Sequence, residues 1–544
     1  MRRNMRAIIR ETVLRHGILW LALLLAAAVK AALLAQQAFP FNADEAVVAL
    51  MARHMLQGEA PLLFYGQAYM GSLDSALGAA GFSIFGQSVV VIRIIQSLLY
   101  LGTIVIWYRL CWKGFDSLVL ARLVAILLSV PSVLVTLYTT VSLGGYGEAL
   151  FLGSLCLLLA VEIRKGAAHP SRRILLGLAA GIGFWSFPLS LVFSLPAVCA
   201  TIISRPGVQR PHSDRPFRIG ILLTLTGCFV GALPWIVAAL RLGAPALQEL
   251  GGSAIAGTVQ GDFLEAVGVR LLNLFLFGTT VVLGLRPPWS VDWLVPWLLP
   301  IALLLGLASI AHGLISLRRS DDASFFRRLL GVSALLLCMA YVLTPFGNDP
   351  SGRYFLPLSM VLAVCTAGFI RRISGRFGRV AYGLLLIPLL FHALGTVECA
   401  RRNPPGITTQ FDQVAQIDMR NMQPLMDFLQ SSGETRGYSN YWVSYPLAFL
   451  SREQLIFTPR LPYHADLRYT PRDNRYAPYD LVVAQSARIA YITTRNPALD
   501  ALLQRELAAR GITYQIHRVG DFTVYYDLSA RIEPEALGFP KSDR

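Results

Sequence analysis

The sequence contains few charged residues and lacks the common motifs for binding nucleotides or catalytic zinc. Of its 544 residues, 15% are charged and 55% are hydrophobic, and the mean hydropathy is +0.54. A soluble domain cannot bury so much apolar surface, so most of the chain is expected to face lipid. The sequence has no Gly-x-x-x-x-Gly-Lys-Ser/Thr loop, no Gly-x-Gly-x-x-Gly after a predicted strand and no His-Glu-x-x-His helix. These absences remove the usual signs of nucleotide binding and zinc catalysis.

Cysteine is also scarce, and its seven positions form no metal-site pattern. There is no Cys-x-x-Cys pair and no cluster of Cys with His, so the spacing of a zinc site is missing. No cysteine lies after residue 400, so the polar tail of the chain is expected to fold without disulfide bonds. All seven lie inside or at the edges of apolar runs, at positions 111, 156, 199, 228, 338, 365 and 399.

Eleven apolar runs are long enough to span a membrane, and the arginines between them predict their direction. The net charge of +16 comes from arginines clustered in alternate loops, which is typical of membrane topology and not of a nucleic-acid-binding face. The positive-inside rule places the N-terminus in the cytoplasm and residues 400–544 outside. The apolar segment 263–285 is predicted to lie at the external face, because a crossing there would put the basic loop 318–328 outside. The predicted spans are residues 18–38, 89–108, 118–137, 148–163, 174–187, 188–204, 219–240, 293–317, 329–345, 354–370 and 380–399.

The polar tail alternates predicted strands and helices. Such alternation indicates an α/β domain of about 120 residues. The predicted architecture is a polytopic α-helical membrane domain, residues 1–400, followed by a C-terminal external α/β domain, residues 401–544. Helices are predicted at 420–432, 442–451 and 496–510, and strands at 435–439, 454–458, 488–494, 513–518 and 521–527, the last two as a hairpin.

The first external loop, residues 39–88, contains the main candidates for chemistry. Asp44 and Glu45 lie about six residues beyond the first span, where carboxylates lose part of their hydration and are rarely placed without a partner or a task. An amphipathic stretch follows them and is predicted to form a helix along the membrane face. Asn42 and Glu45 fit a capping box, which accounts for Glu45 without a functional role but explains Asp44 less well.

The rest of this loop combines two aromatic rings, an amide and a third carboxylate, supplied by Tyr65, Gln67, Tyr69 and Asp74. Aromatic faces pack on the C–H bonds of a sugar and amides bind its hydroxyls, although tyrosines here also fit an interfacial aromatic belt. Glu148 opens the fourth span from outside, where it caps the helix or lines the same cavity, and capping is the preferred interpretation.

A later motif, Phe346-Gly-Asn-Asp-Pro-Ser-Gly-Arg-Tyr-Phe-Leu-Pro357, places Arg353 and Tyr354 at the external end of a span. A guanidinium at this position can bind two phosphate oxygens in a fork. The alternative is an arginine that only anchors the helix end by snorkelling. External arginines are scarce in this sequence, which favours the phosphate role.

The first loop and this motif together resemble the GT-C superfamily of integral-membrane glycosyltransferases. That class includes the protein O-mannosyltransferases and the bacterial aminoarabinose transferases of lipid A. An Asp-Glu or Asp-Asp pair opens the first external loop in these enzymes, as Asp44-Glu45 does here. The Arg353-Tyr354 element is similar to one that is implied to face the phosphate of a lipid-linked donor. The stretch Tyr69-Met-Gly-Ser-Leu-Asp74 is similar to a bacterial branch in which the last residue is usually Glu, so Asp74 departs from that pattern.

The resemblance implies an inverting glycosyltransferase on the external side of a bacterial inner membrane. It would move a sugar from a polyprenyl-phosphate donor to a glycan, lipid or protein acceptor. Asp44 would act as general base, and Arg353 with Tyr354 would face the departing phosphate. Glu45 and Asp74 would orient Asp44 or hold sugar hydroxyls. The substrate site would be completed by Tyr65, Gln67, Tyr69 and Glu148.

No cofactor is demanded, because carboxylates without histidine do not require a metal, although some relatives bind a divalent ion. No cytoplasmic domain large enough for a nucleotide sugar is predicted, which favours a lipid-phosphate donor. Nucleic acid is not an expected partner. The alternatives are a polyprenyl-lipid flippase or transporter, which is expected to place polar groups near the membrane midplane, and a polysaccharide ligase, which is expected to use a long late loop.

Overall fold

The computed structural model describes residues 2–166, 169–203, 215–252, 262–464 and 466–539. Residue 204, the predicted end of one span, lies outside this set. The chain forms two compact units. The helical unit comprises Met1–Gln36, Tyr69–Asp74 and Arg93–Cys399, and the sheet unit comprises Gln37–Ala68, Ser75–Ile92 and Ala400–Arg544. Much of the first predicted external loop therefore belongs to the same compact unit as the C-terminal tail.

Helices dominate the helical unit, as its apolar runs predict. Their bounds, with those of the helices in the sheet unit, follow in chain order. The α-helices are α1 (Arg2–Ala35), α2 (Ala43–Leu56), α3 (Leu73–Phe85), α4 (Val89–Phe115), α5 (Leu118–Ser129), α6 (Val133–Tyr138), α7 (Tyr146–Arg164), α8 (Pro170–Ser186), α9 (Leu191–Ile203), α10 (Arg215–Leu242), α11 (Ala244–Leu250), α12 (Phe263–Asn273), α13 (Thr280–Val282), α14 (Leu299–Ser316), α15 (Ser324–Leu343), α16 (Leu356–Phe377), α17 (Leu386–Arg401), α18 (Met422–Ser431), α19 (Tyr441–Leu450), α20 (Pro478–Ala484) and α21 (Pro497–Ala509).

Eight helical segments among the described residues are long and apolar enough to cross a membrane, judged by length and composition. Two predicted spans, 354–370 and 380–399, lie in one helical stretch, Arg353–Arg401. Other predicted spans coincide with shorter helices. The segment predicted to lie at the external face forms Phe263–Val282 and meets the same criteria, so its placement and the count of eleven stay predictions. The other candidates are His16–Ala35, Val89–Phe115, Tyr146–Arg164, Phe217–Leu242, Leu299–Ser316 and Ser324–Leu343.

Glycines spaced four residues apart bring α8 and α10 into backbone contact. A Cβ added at Gly177 would lie 2.1 Å from Thr224 O, and one at Gly181 would lie 2.2 Å from Cys228 O. Small residues at this spacing let apolar helices approach closely, which replaces the hydrophobic driving force that is missing inside lipid. The contact is therefore dictated by sequence, at positions where any side chain would separate the helices.

The tail folds into a mixed five-stranded sheet with the strand order β4-β3-β5-β7-β6. Strand β3 is parallel to β4 and β5, whereas β7 is antiparallel to β5 and β6. The central strand β5 is buried along its whole length, and all of the helices and strands predicted for the tail are confirmed. Helix α20 was not predicted. The strands are β1 (Leu63–Phe64), β2 (Gln67–Gly71), β3 (Arg436–Ser439), β4 (Ile456–Pro459), β5 (Ala490–Thr494), β6 (Gln515–Val519) and β7 (Phe522–Tyr526).

Helix α2 forms where the sequence predicts it, and its position along the membrane face stays a prediction. Its residues are buried from Glu45 to His54. Helix α19 of the same unit packs against it. Phe449 of α19 lies 5.6 Å from the ring of Phe41, and the Arg53 guanidinium lies 4.5 Å from the Phe449 ring. The apolar positions of α2 therefore face protein.

Candidate active site

Asp44 lies in the first turn of α2, where a buried tyrosine holds one of its carboxyl oxygens. The Asn42 side chain accepts the Glu45 N–H at 3.0 Å, which is half of the predicted capping box and fixes this turn. Glu45 itself is fully buried. The Tyr441 hydroxyl donates to Asp44 Oδ1 at 2.6 Å. Burial of Tyr441, together with the charge of Asp44, raises the pKa of the phenol well above its ordinary value, so Tyr441 remains a neutral donor.

Arg475 connects this pair to the first loop. Its guanidinium lies 5.4 Å from the Tyr441 ring centroid, within the range of a cation–π contact. The Nη1 group donates to Gly66 O at 3.2 Å. With the Gln67 amide oxygen turned toward it, Arg475 also donates to that oxygen from both Nη atoms at 3.0 Å. The Gln67 side chain, predicted to bind a sugar hydroxyl, thus fixes an arginine beside Asp44.

Asp473 places a second carboxyl near Asp44. Its side chain is buried, and burial raises its pKa to about 7, with the Arg475 charge opposing this shift and the Asp44 charge reinforcing it. The Tyr445 hydroxyl donates to the Asp473 carbonyl oxygen at 3.2 Å, which holds this turn against α19. The sheet unit therefore combines a partly exposed aspartate, a buried one and an arginine.

Tyr65 lies in an aromatic group that also contains Glu59 and Tyr476. The two tyrosine rings stack with centroids 4.9 Å apart, and their hydroxyls donate to the two Glu59 oxygens at 2.6 and 2.5 Å. Burial opposes ionisation of Glu59, but these hydrogen bonds outweigh it and lower the Glu59 pKa. One face of the Tyr65 ring is therefore covered by Tyr476.

An ion pair fixes the other end of α2. Glu453 Oε1 accepts from His54 Nε2 at 3.0 Å and from the Tyr479 hydroxyl at 2.8 Å, and Arg53 Nη1 lies 3.4 Å from Oε2. Burial opposes ionisation of Glu453, but these hydrogen bonds and charges lower its pKa to about 2. Both ends of α2 are thus held by residues of the tail.

Asp74 begins α3 and is buried among protein donors of the helical unit. Its Oδ1 accepts from Gln96 Nε2 at 2.8 Å and from Ser142 Oγ at 2.7 Å, and its Oδ2 accepts from Gly144 N at 2.9 Å. Gly144 and Gly145 both have positive φ, at 81° and 118°, which a residue with a side chain rarely adopts. The two glycines allow the backbone to turn an N–H toward Asp74.

Glu148 lies beside Asp74 and does not cap its helix, which corrects the preferred interpretation of its position. The N-cap of α7 is Gly145, with no side-chain cap. Gln96 Nε2 donates to Glu148 Oε1 at 2.7 Å while it also binds Asp74. The second oxygen, Glu148 Oε2, is buried and has no hydrogen-bond partner in the described part of the chain. Two buried carboxyls that share one amide repel each other if both are charged.

Tyr69 and the Arg353 motif meet in an aromatic group of the helical unit. The Tyr69 ring lies 6.4 Å from Phe346, which lies 5.0 Å from the Tyr354 ring. Arg353 Nη2 lies 2.7 Å from Asp349 Oδ2 and 3.2 Å from the Tyr354 hydroxyl. Its Nε is buried and makes no hydrogen bond to any described residue. The Arg353 guanidinium is thus held through Nη2, while its Nε has no hydrogen bond to a described residue.

The residues of these groups that were not predicted from the sequence include Asp349, Tyr441, Asp473 and Arg475. Asp349 was part of the quoted motif, and its spacing of four residues from Arg353 is a signal that could have identified it. No pattern in the tail marks Asp473 or Arg475, because their proximity to Asp44 depends on the folded sheet unit. Tyr441 was one of many tail tyrosines, and only the structure distinguishes it.

Comparisons with known proteins agree on the fold. No protein-family profile and no curated protein sequence matches this chain. Among solved structures, ArnT from Cupriavidus metallidurans bound to undecaprenyl phosphate matches with a TM-score of 0.56 at 14% identity, covering 95% of this chain and 99% of that one. The oligosaccharyltransferase of Archaeoglobus fulgidus, in complex with Zn and sulfate, matches with a TM-score of 0.52 at 12% identity, covering 94% and 73%. The chain therefore shares its fold with these two solved structures.

The residues near Asp44 fit a metal ion poorly. No group of three or more His, Cys, Asp or Glu side chains suited to a metal occurs among the described residues. Tyr441 already binds Asp44 Oδ1, and the charge of Arg475 acts on the neighbouring Asp473. A fixed cation beside the carboxylates disfavours a second one. We therefore derive no catalytic step from a bound metal.

Proposed function

We propose that this chain is a GT-C glycosyltransferase that transfers a sugar from a polyprenyl-phosphate donor to an acceptor hydroxyl, with inversion, on the external face of a bacterial inner membrane. The fold supports the class, and the solved ArnT structure contains undecaprenyl phosphate, a carrier of the proposed type. The observation that carries the proposal is the geometry of Asp44. Its position at the start of α2, with one oxygen held by Tyr441, suits a general base.

Asp44 supplies the basic oxygen of the proposed reaction. Oδ1 accepts from Tyr441, while Oδ2 has no hydrogen bond within the residues that the structure describes, and the side chain is partly exposed. The acceptor oxygen attacks the anomeric carbon as its proton passes to Oδ2. The bond from that carbon to the phosphate oxygen breaks on the opposite face, and the lipid phosphate leaves with the electron pair. A single displacement of this kind inverts the anomeric centre.

Arg353 is proposed to stabilise the departing phosphate. Its unsatisfied Nε is suited to a phosphate oxygen, because a guanidinium binds anions through two parallel N–H groups. The ion pair with Asp349 holds the side chain in one orientation before the donor arrives. Charge that grows on the leaving phosphate then meets a fixed cation, which lowers the barrier without reorganisation.

The other candidate residues are assigned by their contacts. Tyr69 and Tyr354 belong to the aromatic group beside Arg353, where they can pack on a sugar ring. Glu148 retains a buried carboxyl oxygen for a substrate hydroxyl. The remaining candidates are proposed to position other groups. The side chain of Glu45 is fully buried, and the polar atoms of the others already bind protein groups: Tyr65, Gln67 and Asp74.

The test is transfer from a radiolabelled polyprenyl-phosphate sugar by the full chain in lipid nanodiscs. We expect a glycosylated acceptor and free polyprenyl phosphate in equal amounts. Asp44→Asn should lower the rate roughly 100- to 10,000-fold, the usual contribution of a positioned base, without changing the apparent melting temperature. Tyr441→Phe removes one hydrogen bond worth about 1 kcal/mol and should lower the rate roughly fivefold.

Asp427→Asn is the matched control, because Asp427 is exposed on α18. It should retain the parent's rate. Movement of intact donor across the bilayer, with no cleavage of the sugar–phosphate bond, would instead indicate the transporter alternative. Equal rates for the parent and Asp44→Asn would remove Asp44 from the mechanism.

A further inference from the structure

A cavity lies in the helical unit at the basic end of its helices. Its volume is about 560 Å³, which falls in the roughly 300–1,000 Å³ range of small-molecule sites. The walls come from α14, α15 and α16 and are mostly aliphatic, with Leu314, Leu330, Val361 and Leu362 among them. The proposed reaction does not use this cavity.

Four arginines line this cavity together with a single carboxylate. Arg319 follows α14, Arg327 lies on α15, and the other two, Arg371 and Arg372, lie near the end of α16. Among the residues that the structure describes, Asp321 is the only acidic one that lines the cavity. The lining therefore carries an excess of positive charge beside an apolar interior.

Arg327 gives a second, independent observation that points to a ligand. The residue is 8% exposed, and its Nη2 binds Asp321. Its Nε is buried and has no hydrogen-bond partner among the residues described. A buried N–H of a charged group without a partner is costly, so a bound acceptor would recover that energy. Arg371 differs, because it donates to Ser117 Oγ.

This cavity is separate from the candidate donor site. Arg353 precedes the first turn of α16, whereas Arg371 lies fifteen residues beyond Leu356 on the same helix. At 1.5 Å per residue, that length corresponds to about 22 Å. The helix lies within one of the segments long and apolar enough to span a membrane. The two arginine sites therefore lie near opposite ends of one helix.

The chemistry of the lining selects an amphiphile with an anionic head. An aliphatic cavity between membrane helices excludes hydrophilic ligands, and guanidinium groups at its end bind phosphate oxygens in pairs. Basic pockets of this kind between spans bind anionic head groups. A zwitterionic head would bring its ammonium group against the excess positive charge. We propose that this cavity binds one anionic phospholipid, with its phosphate on Arg319, Arg327 and Arg372 and an acyl chain between α14, α15 and α16.

The test measures lipid binding by the purified full chain, with no need for activity. After delipidation in detergent, the chain is titrated with phosphatidylglycerol, phosphatidylcholine or inorganic phosphate, and bound lipid is counted by native mass spectrometry. Apparent melting temperature is recorded in parallel. We expect one tightly bound phosphatidylglycerol and a rise in melting temperature that neither of the other additives produces.

Two variants and one control locate the site. The triple change Arg319→Gln, Arg327→Gln and Arg372→Gln should weaken phosphatidylglycerol binding roughly tenfold or more. Ala334→Phe, which fills the cavity without altering charge, should also prevent retention of the lipid. The control changes three exposed arginines of the same segments that do not line the cavity, Arg318, Arg376 and Arg379, to Gln and should bind as the parent does.

Three results would overturn the proposal. Equal stabilisation by phosphatidylcholine would remove the charge selectivity, and equal stabilisation by inorganic phosphate would remove the lipid. Equal loss of binding in the control would indicate attraction to the basic surface in general. If the triple variant does not fold, Ala334→Phe alone decides between retention and loss of the lipid.

Discussion

The two units each contain a pair of carboxyl groups, and the pairs differ in what their oxygens contact. In the sheet unit, Asp44 is partly exposed and binds a single phenol through one oxygen. In the helical unit, Asp74 is buried, and three donors from the protein occupy both of its oxygens. The arrangement around Asp44 leaves one carboxyl oxygen without a hydrogen bond among the described residues, whereas the one around Asp74 fixes a loop.

The second member of each pair sharpens this contrast. Asp473 shares its surroundings with Arg475, whose charge opposes the effect of burial on the Asp473 pKa. Glu148 shares only a neutral amide with Asp74 and keeps one unsatisfied oxygen. Ionisable groups near a fixed cation can change charge during a reaction, while a buried pair joined by one amide is better suited to shaping a cavity.

After Asp44→Asn, the next largest effect that would test this division concerns Arg353, the charged group of the helical unit that is proposed to stabilise the leaving phosphate. Losing a charge-assisted fork should cost about 2–4 kcal/mol, which is roughly 30- to 1,000-fold in rate. Arg353→Ala should lose nearly all of the transfer activity. Arg353→Lys restores the charge without the fork, so it should recover only part of the activity. Transfer rate and melting temperature are measured together for both variants.

Arg241 gives the matched control for this series, because it is an exposed arginine near the end of α10. Arg241→Lys should leave both the transfer rate and the melting temperature unchanged. If Arg353→Lys were fully active and Arg353→Ala failed only through unfolding, Arg353 would be a snorkelling anchor. The donor phosphate would then have to be sought elsewhere in the helical unit.

Asp74→Asn tests whether the buried pair is structural. The amide offers N–H groups where one carboxyl oxygen now accepts, so at least one donor among Gln96, Ser142 and Gly144 loses its partner. Leaving a buried donor unsatisfied costs about 1–3 kcal/mol, so the apparent melting temperature should fall by several degrees. The rate per folded molecule should stay within a few fold of the parent. A large loss of transfer at full stability would instead give Asp74 a direct role with the substrate.

Much of this organisation was predictable from the sequence. The apolar runs gave the helical architecture, and alternating patterns gave every strand of the tail sheet. Such patterns succeed because burial on one face repeats with a fixed local period. The acidic pair and the Arg353 motif could also be selected, since their positions at the ends of apolar runs are visible in the chain.

The contacts that define the site could not be predicted in the same way. Tyr441 lies 397 positions from Asp44 in sequence, and their hydrogen bond exists only because α2 packs on α19 within one compact unit. The amphipathic spacing predicted helix α2, but such spacing does not tell whether lipid or protein covers the apolar side. Glu148 was assigned to capping because sequence shows the helix start but not Gln96 beside it.

The smallest expected effect concerns Asp473. Its charge state distinguishes the carboxyl pair of the sheet unit, Asp44 and Asp473, from the pair of the helical unit, Asp74 and Glu148. Its folded-state pKa is raised to about 7 from 3.8, mainly by burial, so the folded chain holds this proton more tightly than the unfolded chain does. That preference stabilises the fold fully below pH 4 and is lost as pH rises through 7. Asp473→Asn cannot ionise, so its apparent melting temperature should match the parent near pH 4 and exceed it by ~2–4 °C at pH 8. Melting curves of both chains from pH 4 to 8, with Asp427→Asn as the exposed control, measure this difference. A difference that stays constant with pH would show that Asp473 is ionised throughout and that Arg475 compensates its charge fully.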